Sequence, residues 1–455
     1  HSLNFKRPLF IEDLETLNVF GIEADFMERF RAYLKEEGLP GNEKRQTITV
    51  PLNVTYDFGK RLKTLRPKRK DTDGREYDFK KDGPVPMIDD LPETVDNHFV
   101  VVDWYPRIQK IESRGRAKES QKEKAQLENQ HIAFLDADAL YFELERFKRE
   151  RSWHNLNISK KAILSLLANP RWYTLYIPTA RLHPNDYNGI VLLQQVAAEL
   201  LKRLCECLYN YRKREYIEPR LELREINETD GNLPGDEEYQ LVVDGDETQL
   251  IQQIEQIKLE IENKKEILTR MDTPGELKTC KWGRHLFQPL FHVRKGGRIS
   301  ILPVALNQSE YRFVEDLKDW CDENGDRLKE NHQEIFLLRN ISRKGVGFFE
   351  AGGFYPDFIL WLLSGDKQYV NFIEPHGLMH EGPGSNKVQF HSRIKDVEKR
   401  LGNPKVVLNS FILSWTPFAQ LQWGLTQKDL EKMHILFMKE KQTEYIEKIF
   451  NELND

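Results

Sequence analysis

Cysteine and long apolar runs are both scarce in this chain of 455 residues. The 4 cysteines are too few and too scattered for a disulfide framework or a four-ligand zinc site. No stretch approaches the roughly 18 uncharged apolar residues that a membrane-spanning helix needs, and no segment has the pattern of a secretory signal peptide. These absences predict a protein of a reducing, cytoplasmic compartment without a membrane span.

An excess of positive charge is lacking as well, since 68 Lys+Arg stand against 73 Asp+Glu and the formal net charge is −5. Nucleic-acid binding would therefore depend on local basic patches. Two segments, 60–70 and 278–298, are rich in cations and contain no acid, whereas acids concentrate between Glu225 and Glu247. The cations that we expect to contact DNA in the two basic segments are Lys68, Arg69, Lys70, Arg294, Lys295 and Arg298.

Each basic segment has two interpretations. Residues 60–70 form either a solvated loop or a segment that contacts phosphates. Residues 278–298 carry Trp282, Phe287 and Phe291 among their cations. These aromatic rings either stack on nucleobases or form the core of a pair of strands whose charges face water.

Two helical features each have a structural and a functional interpretation. Leu250, Ile254, Ile257, Ile261 and Leu268 form a heptad-like seam, interrupted at Lys264, which favours a helical hairpin arm or a docking helix over a long coiled coil. Asp136 and Asp138 precede a helical pattern, so we interpret them as capping acids rather than a metal dyad.

The pattern from residue 306 onward is that of a small mixed sheet flanked by helices, within a chain of the mixed α/β class. We expect the elements in this order: helix 309–321, strands 334–339, 354–363 and 368–373, helix 387–401, strand 406–413 and a terminal helix from 427.

Two acids fall at informative places in this order. Asp357 follows Pro356 at the entry of the second strand, and Glu374 ends the third. If the turn at residues 364–366 joins the two strands as antiparallel neighbours, the carboxylates converge. Two convergent carboxylates suit a hard divalent cation such as Mg²⁺, which can activate water and neutralise charge on a phosphate.

Pro356-Asp357 followed by Glu374-Pro375-His376 resembles the signature of the PD-(D/E)XK nuclease superfamily. Residues 337–377 resemble the C-terminal nuclease domain of helicase-nucleases similar to the Res subunit of type III restriction enzymes. Residues 7–38 resemble the segment that follows the second helicase lobe in that family. The middle of the chain resembles no family that we can name.

The resemblance implies roles for particular residues. Asp357 and Glu374 would bind Mg²⁺ or Mn²⁺, with the main-chain carbonyl of Pro375 as a third oxygen. An acid from the first helix of the fold would join them, and Glu315 is the candidate, with Glu310 as its competitor.

His376 departs from the family pattern, which has lysine there. Imidazole can act as an acid or base near neutral pH but is not a permanent cation. Either His376 acts in catalysis, or another lysine (Lys344, Lys387 or Lys395) takes the role, or the site is inactive. Arg343 and Lys387 are further candidates for contacts to the DNA backbone.

The resemblance predicts the C-terminal part of a bacterial DNA helicase-nuclease of restriction or phage defence. The expected parts are a post-helicase segment (1–75), an α+β middle domain with a helical arm at 247–270 (76–299) and a PD-(D/E)XK-like nuclease domain (300–455). The chain starts with His1 rather than Met and has no G-x-x-x-x-G-K-[ST] loop, so ATP would act only through a motor upstream of it.

Two alternatives from other classes stay open. The nuclease fold would serve as an inactive DNA-binding or docking module, as His376 suggests. Alternatively, the heptad-like seam would recruit other subunits of a defence system.

Overall fold

A computed structural model describes residues 45–93, 95–105, 107, 122–230, 232–233, 238–244, 247–262, 277–293, 299–302, 305–340, 356–378, 382, 385–421, 423–439 and 443–454. The segment 7–38, with its resemblance to a post-helicase region, lies outside these residues.

The described strands, in chain order, are β1 (Arg45–Pro51), β2 (Asn53–Val54), β3 (Lys63–Pro67), β4 (Val100–Asp103), β5 (Lys124–Ala125), β6 (Tyr173–Tyr176), β7 (Leu221–Glu225), β8 (Glu238–Asp244), β9 (Leu277–Cys280), β10 (Phe287–Gln288), β11 (Leu290–Val293), β12 (Ile299–Leu302), β13 (Gln333–Arg339), β14 (Phe358–Ser364), β15 (Lys367–His376), β16 (Val406–Ser414) and β17 (Ile435–Phe437). The described α-helices are α1 (Phe79–Asp82), α2 (Asn129–Ile132), α3 (Ala137–Glu150), α4 (Ile163–Ala168), α5 (Tyr187–Ile217), α6 (Thr248–Glu262), α7 (Gln308–Glu323), α8 (Gly325–Glu330), α9 (Asn386–Leu401), α10 (Gln427–Lys432) and α11 (Glu444–Asn454). The mixed α/β class predicted from the sequence is confirmed. Among the described helices, none combines the length and apolar character needed to cross a membrane.

The chain divides into two compact units, and neither is one continuous segment. The first unit is drawn from residues up to 52, 236–281 and 290–307, and the second from 53–235, 282–289 and 308–455. The three consecutive segments expected from the sequence (1–75, 76–299 and 300–455) do not coincide with these units and stay a prediction.

The first unit contains an antiparallel sheet in the order β1-β8-β12 and the strand pair β9-β11. Helix α6 packs against β1. The part of the heptad-like seam that lies in α6 is buried, namely Leu250, Ile254, Ile257 and Ile261. These residues therefore form the core of the unit, because their apolar side chains are removed from water there.

In the second unit, helices α3 and α5 pack against each other. The side chain of Asp136 accepts hydrogen bonds from the backbone N–H groups of Asp138 and Ala139, so the interpretation of Asp136 as the N-cap of α3 is confirmed. The same unit contains a small sheet in the order β4-β6-β5 and the strand pair β3-β7.

The C-terminal part of the second unit is a sheet in the order β13-β14-β15-β16-β17. The first three strands run antiparallel, and β15, β16 and β17 run parallel to one another. Helix α9 is the crossover between β15 and β16, as parallel neighbours require. Strand β14 is almost entirely apolar and buried, as expected for a central strand with both faces covered.

The turn between β14 and β15 agrees with the sequence. Ser364 pairs with Lys367, and Gly365 adopts φ 55°. A positive φ at this position favours glycine because it has no Cβ. The two strands are thereby fixed as antiparallel neighbours.

The prediction of one terminal helix from residue 427 onward is wrong after Lys432. Helix α10 ends at Lys432, and His434 has φ 56°, a left-handed conformation that ends a helix. Residues Ile435–Phe437 then form β17, whose side chains are all buried. The apolar run gains more from pairing with β16 inside the sheet than from continuing an exposed helix, and a separate helix, α11, follows.

Candidate functional site

The sheet register brings Asp357 and Glu374 together. Phe358 pairs with Ile373, which places the preceding Asp357 opposite Glu374. The backbone N–H of Asp357 donates to Oε2 of Glu374 over 3.3 Å. Both acids thus lie at one edge of the sheet, and directly opposed residues share one face of it.

Asn340 holds the segment that enters β14. Its backbone N–H donates to the carbonyl of Asp357 over 2.8 Å, and its side-chain amide donates to the carbonyl of Pro356, also over 2.8 Å. The side chain of Asn340 is buried, so these bonds fix the backbone at Asp357. The sequence analysis missed this residue; a polar amide directly after the apolar strand 333–339 was the available signal.

Lys387 contacts Glu374, one member of the acid pair formed by Asp357 and Glu374. It lies in the first turn of α9, whose N-cap is Ser385. Its Nζ lies 2.9 Å from Oε1 of Glu374, and both side chains are largely buried. Of the lysines proposed as substitutes for the family lysine, Lys387 is therefore at the acids, whereas Lys395 pairs with Glu398 over 3.1 Å. Lys344 lies outside the described residues.

The helix acid near the pair is Glu310. It is buried and forms an ion pair with Arg339, whose Nη2 lies 3.2 Å from Oε2 of Glu310. Its charge contributes to raising the pKa of both Asp357 and Glu374. Glu315 is partly exposed and lies five positions later, about 140° further around a helix with 3.6 residues per turn.

His285 supports the Arg339 backbone. Its Nε2 accepts a hydrogen bond from the N–H of Arg339 over 2.9 Å. Burial lowers the pKa of His285 to about 3, so the ring is neutral and available as an acceptor at ordinary pH. Arg339 is thus positioned at the end of β13, beside the acids.

Burial and mutual repulsion dominate the electrostatics of the site. Burial is the main reason that the pKa of Asp357 is raised well above its usual value, and the charges of Glu374 and Glu310 add to it. Burial also raises the pKa of Glu374, while the ion pair with Lys387 opposes that rise. Among the described residues, the carboxyl groups of Asp357, Glu374 and Glu310 face two cations, Arg339 and Lys387, so negative charge exceeds positive charge in this group when all five are ionised.

The donor chemistry fits a hard divalent cation, because carboxylate and carbonyl oxygens are the ligands that Mg²⁺ prefers. The described residues contain no group of three or more His, Cys, Asp or Glu side chains arranged to hold a metal ion. Asp357 and Glu374 would therefore act with the carbonyl of Pro375 and with water. That carbonyl accepts a hydrogen bond from the Ser309 hydroxyl over 3.0 Å, and an oxygen has a second lone pair.

His376 ends β15 two residues after Glu374, so its side chain leaves the sheet on the same face as Glu374. It is partly exposed. Its carbonyl accepts a hydrogen bond from the N–H of Trp415 over 3.1 Å. His376, at the position where the PD-(D/E)XK pattern has lysine, thus lies on the same face of the sheet as Glu374.

The basic segment 60–70 divides into paired and exposed cations. Lys70 pairs with Asp82, Arg66 with Asp230 over 2.5 Å and Lys60 with Glu334 over 2.7 Å. Lys68 and Arg69 are exposed in the loop after β3. The other cations expected to contact DNA, Arg294, Lys295, Arg298 and Arg343, lie outside the described residues.

The aromatic side chains of segment 278–298 are core residues. Trp282, Phe287 and Phe291 are 6%, 4% and 1% exposed. A nucleobase needs an accessible ring face for stacking. The base-stacking interpretation is therefore wrong for these three rings, which are buried in the core. Trp282 lies outside the strands, while Phe287 and Phe291 lie in β10 and β11.

No protein-family model, no curated protein and no solved structure matches this chain. The site's own geometry therefore supplies the support for a function.

Proposed function

We propose that this chain is a metal-dependent nuclease that hydrolyses phosphodiester bonds in DNA, with Mg²⁺ or Mn²⁺ held by Asp357 and Glu374. The observation that carries the proposal is that these two acids and the ammonium of Lys387 meet at one sheet edge. The elements that position them follow the order helix, three antiparallel strands, helix and parallel strand. This is the order expected for a PD-(D/E)XK-like domain.

The acids would supply the metal ligands. When bound, the cation would neutralise charge on the scissile phosphate and lower the pKa of a water molecule. The strand register places the two acids opposite each other, and the side chain of Glu374 is buried. Glu310, near both of them, adds negative charge that favours a cation at this place.

Lys387 would take the role that lysine has in the family motif. Its ammonium is already held against Glu374, where it could orient the attacking water and stabilise the negative charge that develops on the phosphate. His376, on the same face as Glu374, could accept or donate a proton near neutral pH.

The wider assignment rests on the resemblance of residues 337–377 and 7–38. On that basis we propose that the chain is the C-terminal part of a bacterial helicase-nuclease of restriction or phage defence. ATP would then be used by a motor outside this chain, and other subunits of a defence system would be partners.

Incubation of the protein with plasmid and single-stranded DNA, with Mg²⁺ or Mn²⁺, tests the proposal. We expect the wild-type protein to cut and the variants Asp357→Asn and Glu374→Gln to be inactive, since each removes a charged ligand while keeping the side-chain shape. Glu310→Gln should reduce cleavage, and Glu315→Gln on the same helix is the matched control. Calorimetry of Mg²⁺ binding to the same variants gives a readout that does not depend on cleavage.

A wild-type protein that binds DNA but cuts neither substrate with either metal would overturn the nuclease proposal and favour the inactive DNA-binding module. Equal loss of cleavage in Glu310→Gln and Glu315→Gln would contradict the assignment of Glu310 to the site.

A further inference from the structure

Trp415 lies at the same sheet edge as the acid pair. Ser414, the last residue of β16, pairs with His376 in the parallel ladder, and Ile412 pairs with Glu374. Trp415 comes three residues after Ile412. Trp415 lies in the bend that follows β16. An extended continuation of the strand, with about 3.3 Å per residue and about 4.8 Å between strands, would place its Cα about 11 Å from that of Glu374.

The segment around Trp415 is held firmly. The N–H of Trp415 donates to the carbonyl of His376 over 3.1 Å. The hydroxyl of the next residue, Thr416, accepts from the N–H of Leu378 over 3.1 Å, and the hydroxyl of Ser414 donates to the carbonyl of Thr416 over 2.7 Å. The backbone around Trp415 is thus hydrogen-bonded to the last residue of β15 and to Leu378 just after it.

Trp415 differs from the other large aromatic residues of this loop. Phe418 and Trp423 pack against a buried apolar cluster that includes Leu430 and Phe437. All three rings are partly exposed, but Trp415 has the ammonium of Lys439 over its ring, with Nζ 4.5 Å from the ring centroid. Lys439 follows β17 and is exposed.

An aromatic ring next to an exposed lysine is suited to a nucleotide. A base can stack on the ring, and the cation can contact a phosphate. The exposed lysine side chain is flexible, so its ammonium can move from the ring to a neighbouring phosphate. The separation of about 11 Å corresponds to about three stacked nucleotides at 3.4 Å each.

We propose that Trp415 stacks on an unpaired base of the DNA strand, within about three nucleotides of the phosphate held at Asp357 and Glu374, and that Lys439 contacts the phosphate next to that base. The inference rests on the proposed nuclease function and adds a substrate class to it. A base inside a duplex offers no free face near the cut, so the preferred substrate is single-stranded or frayed DNA.

The test measures binding of a fluorescent single-stranded oligonucleotide by anisotropy, in an Asp357→Asn background that prevents cleavage. Trp415→Leu, which keeps apolar bulk but removes the flat ring, should weaken binding roughly 5- to 100-fold, the range that base–aromatic stacking supports. Trp423→Leu is the matched control, since it removes the same ring from the same loop but from the apolar cluster, and it should leave affinity unchanged. Lys439→Gln should lower the dependence of affinity on salt.

A scan with abasic nucleotides distinguishes stacking from a structural role. In the protein that retains Trp415, removing the base at one position should weaken binding, and in Trp415→Leu the same removal should cost nothing further. Should Trp415→Leu not fold, Trp415→Phe replaces it and should show a reduced cost at that position. Equal affinity of the two proteins, or an equal abasic cost in both, would overturn the inference.

The same experiments separate this inference from the proposed function. If cleavage requires Asp357 but the DNA affinity does not change in Trp415→Leu, only the stacking proposal is contradicted. If the DNA affinity depends on Trp415 but the wild-type protein does not cleave, only the nuclease proposal is contradicted.

Discussion

The ammonium nitrogen of Lys387 lies 2.9 Å from Oε1 of Glu374, although 13 residues separate the two in the chain. Glu374 is near the end of β15, and Lys387 is in the first turn of the crossover helix α9, which begins at the same sheet edge. His376 occupies the position at which the PD-(D/E)XK pattern has lysine. A cation is nevertheless present at the acids, delivered by the next helix.

Replacing Lys387 should affect both catalysis and stability. We expect Lys387→Met to lower kcat by about 10²- to 10³-fold, the usual cost of losing one electrostatic contact to the transition state. It should also lower the free energy of unfolding by about 1–3 kcal/mol, because buried Glu374 loses its charged partner. Cleavage kinetics and urea unfolding measure the two effects.

Two variants serve as controls for Lys387→Met. Lys395→Met on the same helix removes a lysine paired with Glu398 and should change stability by less than about 0.5 kcal/mol. In the double variant with Glu374→Gln, the stability lost in Lys387→Met should largely return. Wild-type kcat in Lys387→Met would contradict the catalytic role.

A pH-dependent contribution to stability is expected from Asp316. This buried carboxyl accepts hydrogen bonds from the Tyr445 hydroxyl over 2.9 Å and from Nε of Arg312 over 3.1 Å. Burial raises its pKa to about 6. A folded-state pKa above the unfolded value means that the contribution is fully present below about pH 4 and is lost as pH rises through about 6.

Asp316→Asn should therefore remove part of the fall in unfolding free energy between pH 5 and pH 8, on the order of 1 kcal/mol. Urea unfolding at the two pH values gives the comparison. Asp326→Asn, whose side chain is 97% exposed, should keep the wild-type dependence. Identical pH profiles for Asp316→Asn and the wild type would show that the pKa of the buried carboxyl is not raised.

The seam of α6 can be tested as core or as a docking surface. Ile257 is 1% exposed, and Leu259 on the same helix is 56% exposed. We expect Ile257→Ala to destabilise the protein by about 2–5 kcal/mol, with little change for Leu259→Ala. Thermal unfolding measures both. An unchanged melting temperature for Ile257→Ala would restore the interpretation of this seam as a docking helix.

The exposed cations after β3 should contribute to DNA affinity without contributing to the fold. The double variant Lys68→Gln/Arg69→Gln is expected to reduce the salt slope of DNA binding by up to about two, since each phosphate contact contributes about one. Lys70→Gln breaks the pair with Asp82 and should affect stability instead. A salt slope unchanged in the double variant would favour the solvated-loop interpretation of residues 60–70.

Local sequence signals determined the main elements of the C-terminal sheet. The apolar runs of β13, β14 and β16 and the helical periods of α7 and α9 lie within a few residues of their predicted bounds. The glycine turn at Gly365 fixed β14 and β15 as neighbours, and the pairing of Asp357 with Glu374 follows from that register. Such features depend on residues a few positions apart in the chain, so they can be predicted from the sequence.

Tertiary structure alone decided which residues complete the site. Glu310 rather than Glu315 lies near the acids because the orientation of α7 against the sheet selects one helix face, and the period of the helix is the same for either choice. Lys387 meets Glu374 because the crossover returns α9 to the sheet edge. β17 forms because the run Ile435–Phe437 pairs with β16. The sequence of that run does not indicate this partner. In each case the deciding free energy comes from contacts between segments that are distant in the chain. These contacts form only when the strands pair in their native register.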